Sequence, residues 1–285
     1  MTSTAPAVSS RRTARAFPAR ASRVGIGAAA VSICFVILAV IGAWVAPYDP
    51  TQINVGPRLA TPDGEFWLGT DALGRDQFSR VLVAIRPTMA AAFMATAIAL
   101  VLGSVLGLVA GFYGGLADSA VSRLIDFIFS IPEYLLAILV LAILGRGLGN
   151  AAVAIGLVFV PRFARTVRGA TQELVARPFV DAARLNGRGH GWIIVRHILP
   201  NVSSPLVVLA AINMSLSAGT YAALSFLGFG VRPPSPDFGS MIADALQYLY
   251  SAPWLIIPPA AAFVVLILAI NLTGDLIRDV LDPKA

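Results

Sequence analysis

What most limits this chain is a set of long stretches that carry no charged side chain. Residues 24–46, 87–111, 201–231 and 245–274 contain no Asp, Glu, Lys or Arg, and 127–145 contains only Glu133. Stretches of this length are affordable when lipid is the solvent, because a helix needs about 20 apolar residues to cross a bilayer. Composition agrees. Of 285 residues 57% are hydrophobic and 13% charged, with a mean hydropathy of +0.79. Soluble domains carry about 25% charged residues, and disordered chains more. The chain therefore reads as an all-α membrane protein crossing the bilayer about six times, at 24–46, 87–111, 127–145, 147–161 with part of the basic stretch after it, 201–231 and the run before Asp275.

Residues 1–23 are rich in Ser, Thr, Ala, Pro and Arg and contain no acid, which predicts a disordered basic tail. The run at 24–46 is too long for a signal-peptide core and reads as a retained first helix. An extracytoplasmic loop at 47–86, a five-helix core at 87–275 and a short tail at 276–285 complete the organisation. Lys and Arg count fifteen on the side of the N-terminal tail against six on the other, which places both termini in the cytoplasm. By the same topology the inside carries a net +7 and the outside −1, so the overall +6 is topological and no nucleic-acid footprint. Cys34 stands alone, excluding an intrachain disulfide or a CxxC pair. Lys284 is the single lysine, so the chain has no phosphate-binding Gly-Lys-Ser/Thr. If ATP drives this protein, another chain hydrolyses it.

The inside loop, 171–200, has clear local physics. Pro178 suits the first turn of a helix, and Asp181 sits near that helix's positive end. Ala182 and Ala183 form helix with almost no side chain, so another backbone can approach, and Gly187 is a left-handed stop. A second short amphipathic helix is expected at about 192–198, before Pro200 opens the next span. Two readings follow from the residues: an interfacial helix on lipid headgroups, or a contact for a partner.

The residues Asp181, Ala182, Ala183, Gly187, Leu199 and Pro200 resemble the "EAA" loop of ABC-importer permeases. Arg196, His197 and Asn201 are similar to the loop ending of the dipeptide/oligopeptide/nickel branch. Asp replaces the usual Glu, and His197 the usual Ile. The segments 68–76 with Ser79 and Arg80, 222–230 with 233–236, and 271–283 resemble that branch in the same order, although Tyr221 and Phe238 stand where many relatives carry Glu and Trp. The resemblance implies a type I ABC importer permease fold, in a bacterial inner membrane, for di- or oligopeptides. Nickel or another small solute is the alternative within the branch. It implies a second homologous permease, two ATP-binding subunits holding ATP and Mg, and an extracytoplasmic binding protein, with no cofactor on this chain and no catalysis by it. Asp181, Ala182, Ala183, Arg184, Gly187, Arg196, His197 and Pro200 are then the residues expected to couple to the ATPase.

Other polar residues carry two readings each. Asp71, Arg75 and Asp76 are either a cap with a surface ion pair or an external gate and binding-protein contact. Glu133 either reaches headgroups from an inner helix end or serves a function. Asn213, Ser217 and Tyr221 either bond neighbouring helices or line a translocation path. His190 and His197 are expected in the inside loop. Gly103, Gly107 and Gly111, four residues apart, read as a close-packing ridge. A self-sufficient secondary transporter or channel, the rival class, predicts paired ionisable residues in mid-membrane. The sequence offers only Glu133. A receptor or scaffold predicts a folded soluble domain, and no loop is long enough for one.

Overall fold

A computed structural model describes residues 19–281. The part of the expected tail at 1–18 and the last four residues lie outside the described residues. Ten α-helices are present among them: α1 (Ala19–Val45), α2 (Gln77–Tyr113), α3 (Gly115–Phe129), α4 (Glu133–Leu144), α5 (Leu148–Val175), α6 (Pro178–Leu185), α7 (His190–Ile193), α8 (Leu199–Phe226), α9 (Phe238–Leu246) and α10 (Ile257–Leu281). Five helical stretches are long and apolar enough to cross a membrane, and α3 with α4 makes a sixth if that bent pair is one broken span.

The spine is the contact between α2 and α5. Ala91, Ala95, Ala99, Gly103, Gly107 and Gly111 recur every four residues on α2, and the three alanines are fully buried. A Cβ on Gly103 would stand 2.5 Å from the Phe163 Cβ, one on Gly107 2.6 Å from the Ala164 oxygen, and one on Gly111 2.7 Å from the Arg168 oxygen. The glycines are thus where backbone meets backbone. Lipid supplies little hydrophobic drive between helices, so close approach and dispersion hold such pairs together. The ridge read from the sequence packs helices, as expected. Around this spine Phe159, Phe163, Val167, Tyr221 and Leu224 join one buried cluster, and α1, the start of α2 and α10 build a second around Phe35, Ile85 and Leu266.

Several boundaries differ from the sequence reading. The third run does not form one straight span. The helix stops at Phe129, and Ser130-Ile131-Pro132 turns the chain by 95° before α4 begins. Pro132 has no N–H to continue the ladder, which accounts for the break. The fourth span is longer than expected, running to Val175 and taking Arg162, Arg165 and Arg168 into α5. Each has a carboxylate on the bent segment: Glu133 at 2.9 Å, Asp126 at 3.3 Å, and Asp118 in a close bidentate contact. The second short helix is no separate element, because α7 passes through a π-helical turn at Ile194–Ile198 directly into α8.

The connection between α1 and α2 is a compact loop. Phe66 is buried against Tyr48, with ring centroids 5.5 Å apart. The Trp254 indole donates to the Ala60 carbonyl at 3.0 Å, tying this loop to the chain before α10. This loop and α9 share one end of the bundle, and α6 and α7 the other.

Candidate functional site

At the α6 end, the local geometry follows from three residues. Pro178 occupies the first turn of α6, preceded by extended Arg177. Gly187 ends it at φ +73°, in a left-handed conformation. The Arg188 N–H donates to the Ala183 carbonyl at 3.1 Å, and the Gly187 N–H donates to that of Arg184 at 2.9 Å, which is the Schellman closure. Val180 and Ala183 face inward and are buried. Asp181, Ala182 and Arg184 are exposed, and Leu185 is 90% exposed. Arg184 donates to Asp181 at 3.2 Å. Of the two alanines, then, Ala182 is open to a partner and Ala183 packs on the chain's own core.

Aromatic contacts fix α6 to the bundle. The His197 ring lies 5.8 Å from Phe179 on α6 and 5.0 Å from Trp192, and His190 lies 5.3 Å from Phe112 at the end of α2. Arg184 stacks over Phe112 at 5.8 Å. Pro200 sits in the first turn of α8, and Arg196 is exposed on the π turn. The structure brings the expected coupling residues into one small region.

At the opposite end, Asp76 caps α2 by accepting from the Ser79 N–H at 2.8 Å and the Ser79 hydroxyl at 2.6 Å. Asp71 serves two guanidiniums, Arg75 at 2.6 Å and Arg80 at 3.5 Å. Both arginines are buried, so this is no loose surface pair. Arg80 also donates to the Pro50 carbonyl at 3.1 Å. Asp244 of α9 borders the same cavity of about 270 Å³. Burial pushes its carboxyl above the usual carboxylate range, and Arg80 and Arg75 partly oppose the shift. Arg80 and Asp244 had no visible signal as a pair, because only the fold brings them to the wall of one cavity.

Between the ends, Asn213, Ser217 and Tyr221 are fully enclosed. Asn213 donates to Ser217 at 3.3 Å, and Ser217 is 3.3 Å from the Thr96 hydroxyl on α2, so this chain of groups stitches α8 to α2. Polar groups that remain open lie on another face. Glu133 accepts from Arg162 on α5 at 2.9 Å and from the Thr220 hydroxyl on α8 at 3.1 Å. Arg162 lies fourteen residues into α5, about 21 Å along its axis, while Glu133 opens α4, so the pair joins the start of one helix to the middle of another.

A family model described as "Binding-protein-dependent transport system inner membrane component" matches residues 103–285. The chain belongs to this family of inner-membrane transport components. It is 41% identical over 271 residues, 93% of this chain and 88% of the relative, to the glutathione transport system permease protein GsiD of Escherichia coli O6:K15:H31, and equally to GsiD of Shigella boydii serotype 4. The fold is similar to a chain of the MetNI methionine ABC transporter in an inward-facing conformation. That match has a TM-score of 0.55 at 23% identity, covering 71% of this chain and 96% of the other. A chain of an amino acid ABC transporter aligns with a TM-score of 0.51 at 18% identity, over 67% and 89%. As a binding-protein-dependent inner-membrane component, the chain is a multi-pass permease subunit of an ABC importer, in a family that works with ATPase and binding-protein partners. Chemistry on ATP belongs to a different subunit.

Proposed function

We propose that this permease is one half of a heterodimeric pore that imports di- or oligopeptides. Its termini and α6 lie in the cytoplasm, and the loop at 46–76 with α9 lies outside. A binding protein delivers substrate to the outer end near Asp71, Arg75 and Asp76, and two ATP-binding subunits with Mg engage α6. The substrate class rests on the relatives named for glutathione, itself a peptide. The binding partner's own ligand, peptide, nickel or another solute, decides it.

The observation that carries the coupling role is the division of α6 into two faces. Phe179, Ala182 and Leu185 are exposed while Val180 and Ala183 are buried. An exposed leucine and phenylalanine on a short, capped helix form a small apolar knob for a partner's groove. ATPase closure pushes this knob, and the ring contacts through His197 and His190 pass the motion to α8 and α2. The pore alternates because ATP and the loaded binding protein favour different states.

Leu185→Glu and Ala182→Trp test this in the co-expressed transporter. ATPase co-purification is expected to fall by roughly tenfold, as for loss of a central apolar anchor. Normal co-purification and normal substrate-stimulated ATP turnover in both variants would remove the role.

A further inference from the structure

The Glu133–Arg162 pair joins three helices inside the bundle, Glu133 at the start of α4, Arg162 on α5 and Thr220 on α8. Measured along their own helices, Arg162 is about 21 Å from the start of α5 and about 20 Å from its end, and Thr220 is about 9 Å from the outer end of α8. Yet the two charged side chains remain 35% and 30% exposed. They border a cavity of about 300 Å³ between α4, α5, α8 and α10, whose wall also holds Ser215, Thr220 and Asn271. Ser215 donates to Asn271 Oδ1, so the wall is linked from α8 to α10.

An open ion pair on spanning helices does not face hydrocarbon, since charged side chains in spans turn to water or to protein. Its parts are also unequally held. Each Glu133 oxygen has one donor, Arg162 Nη2 or the Thr220 hydroxyl, and Arg162 rests on the Phe159 ring at 4.7 Å. A carboxylate accepts about four hydrogen bonds and a guanidinium donates five. Both groups therefore keep unused capacity, directed at a space of molecular size.

We propose that Glu133 and Arg162 form a substrate station in the translocation path, selective for zwitterionic peptides. This rests on the peptide-importer reading above. The peptide's ammonium group takes Glu133 and its carboxylate takes Arg162. One ion pair opens and two form, so no charge is left unpaired in the span. Thr220, Ser215 and Asn271 receive the amide between. The reverse exchange, with Glu133 and Arg162 closing on each other, releases the peptide. The resting pair thus stands in for the substrate and keeps the site neutral between cycles.

The test uses the full transporter in cells that lack other peptide uptake, with radiolabelled alanyl-alanine as probe. Glu133→Gln, Arg162→Gln and the double variant E133Q/R162Q are compared with the parent at equal amounts of assembled complex, measured by ATPase co-purification. Each single variant is expected to reduce uptake by roughly tenfold, the effect of one lost charge-assisted hydrogen bond. The double variant is expected to stay equally low, although it leaves no uncompensated charge. Recovery to parent uptake in the double variant would mean that the pair only holds helices together, and would overturn the proposal. No alanyl-alanine uptake by the parent itself would overturn the peptide reading and the station with it. A second measurement uses Leu216→Cys in a Cys34→Ser background, Leu216 being a cavity-wall residue that is 42% exposed. Labelling by a membrane-impermeant thiol reagent in at least one nucleotide state is expected. Absence of labelling in every state would show a cavity sealed from water and overturn the station.

Discussion

The carbonyl oxygen of Ala164 occupies the place where a side chain on Gly107 would begin, 2.6 Å from an ideal Cβ. Backbone is the neighbour here, so no flexible side chain can yield. Gly107→Leu is expected to prevent stable α2–α5 packing, and even Gly107→Ala should cost about 1–3 kcal/mol through overpacking. Gly149→Ala is the control, because nothing lies within 4 Å of a Cβ there. Thermal unfolding of detergent-purified protein should separate the two.

Asp71 is the carboxylate shared by two buried arginines. Asp71→Asn leaves both guanidiniums short of a counter-charge and is expected to destabilise by about 3 kcal/mol. The combined change Asp71→Leu with Arg80→Met should recover part of that loss, since an apolar pair needs no compensation. A double variant no more stable than Asp71→Asn would argue against the charge explanation.

The Asp244 carboxyl, raised by burial, gives a pH signature. The folded protein keeps this proton to higher pH than the unfolded chain does. The associated stability is complete below the ordinary carboxylate range and is lost as pH rises through the raised value. Asp244→Asn escapes that loss. Its melting temperature should exceed the parent's at pH 7, with the gap closing toward about pH 4. A gap that widens on acidification would contradict the assignment.

Gly187 has open space around it, so its role is purely in the backbone. Gly187→Ala is expected to cost about 1 kcal/mol at this positive φ, and Gly187→Asn less. Looser α6 closure should be visible as about fivefold faster trypsin cleavage after Arg184 or Arg188. Equal cleavage of the parent and both variants would show that the glycine is not what ends α6.

The spans, the glycine ridge and the first helix of the inside loop were legible because each is a local signal: an uncharged run, a four-residue spacing, a proline followed nine residues later by a glycine. Pro132 was visible too, yet the apolar run on either side of it masked the 95° turn. How far α5 runs into the basic stretch was not legible, for a physical reason. A hydropathy window prices a charge as if it stood alone, whereas Arg162, Arg165 and Arg168 are each neutralised by an acid many residues earlier in the chain. The same blindness hid Arg80 with Asp244, and the cavity beside Glu133. Ser217 and Asn213 looked available because their types are polar, and only packing shows that both are enclosed, with Asn213 bonded to Ser217 within α8 and Ser217 in turn meeting Thr96 on α2.

The short helix α4 has a consequence for the surrounding lipid. Twelve residues span about 18 Å, against roughly 30 Å of hydrocarbon. Leu135, Leu139 and Ile143 are exposed along it. Taken without α3, this edge is shorter than the hydrocarbon it meets, and the mismatch carries a cost that rises with every ångström. Locally thin bilayer or another polypeptide is thus a better-matched neighbour for this side of the molecule than membrane of ordinary thickness.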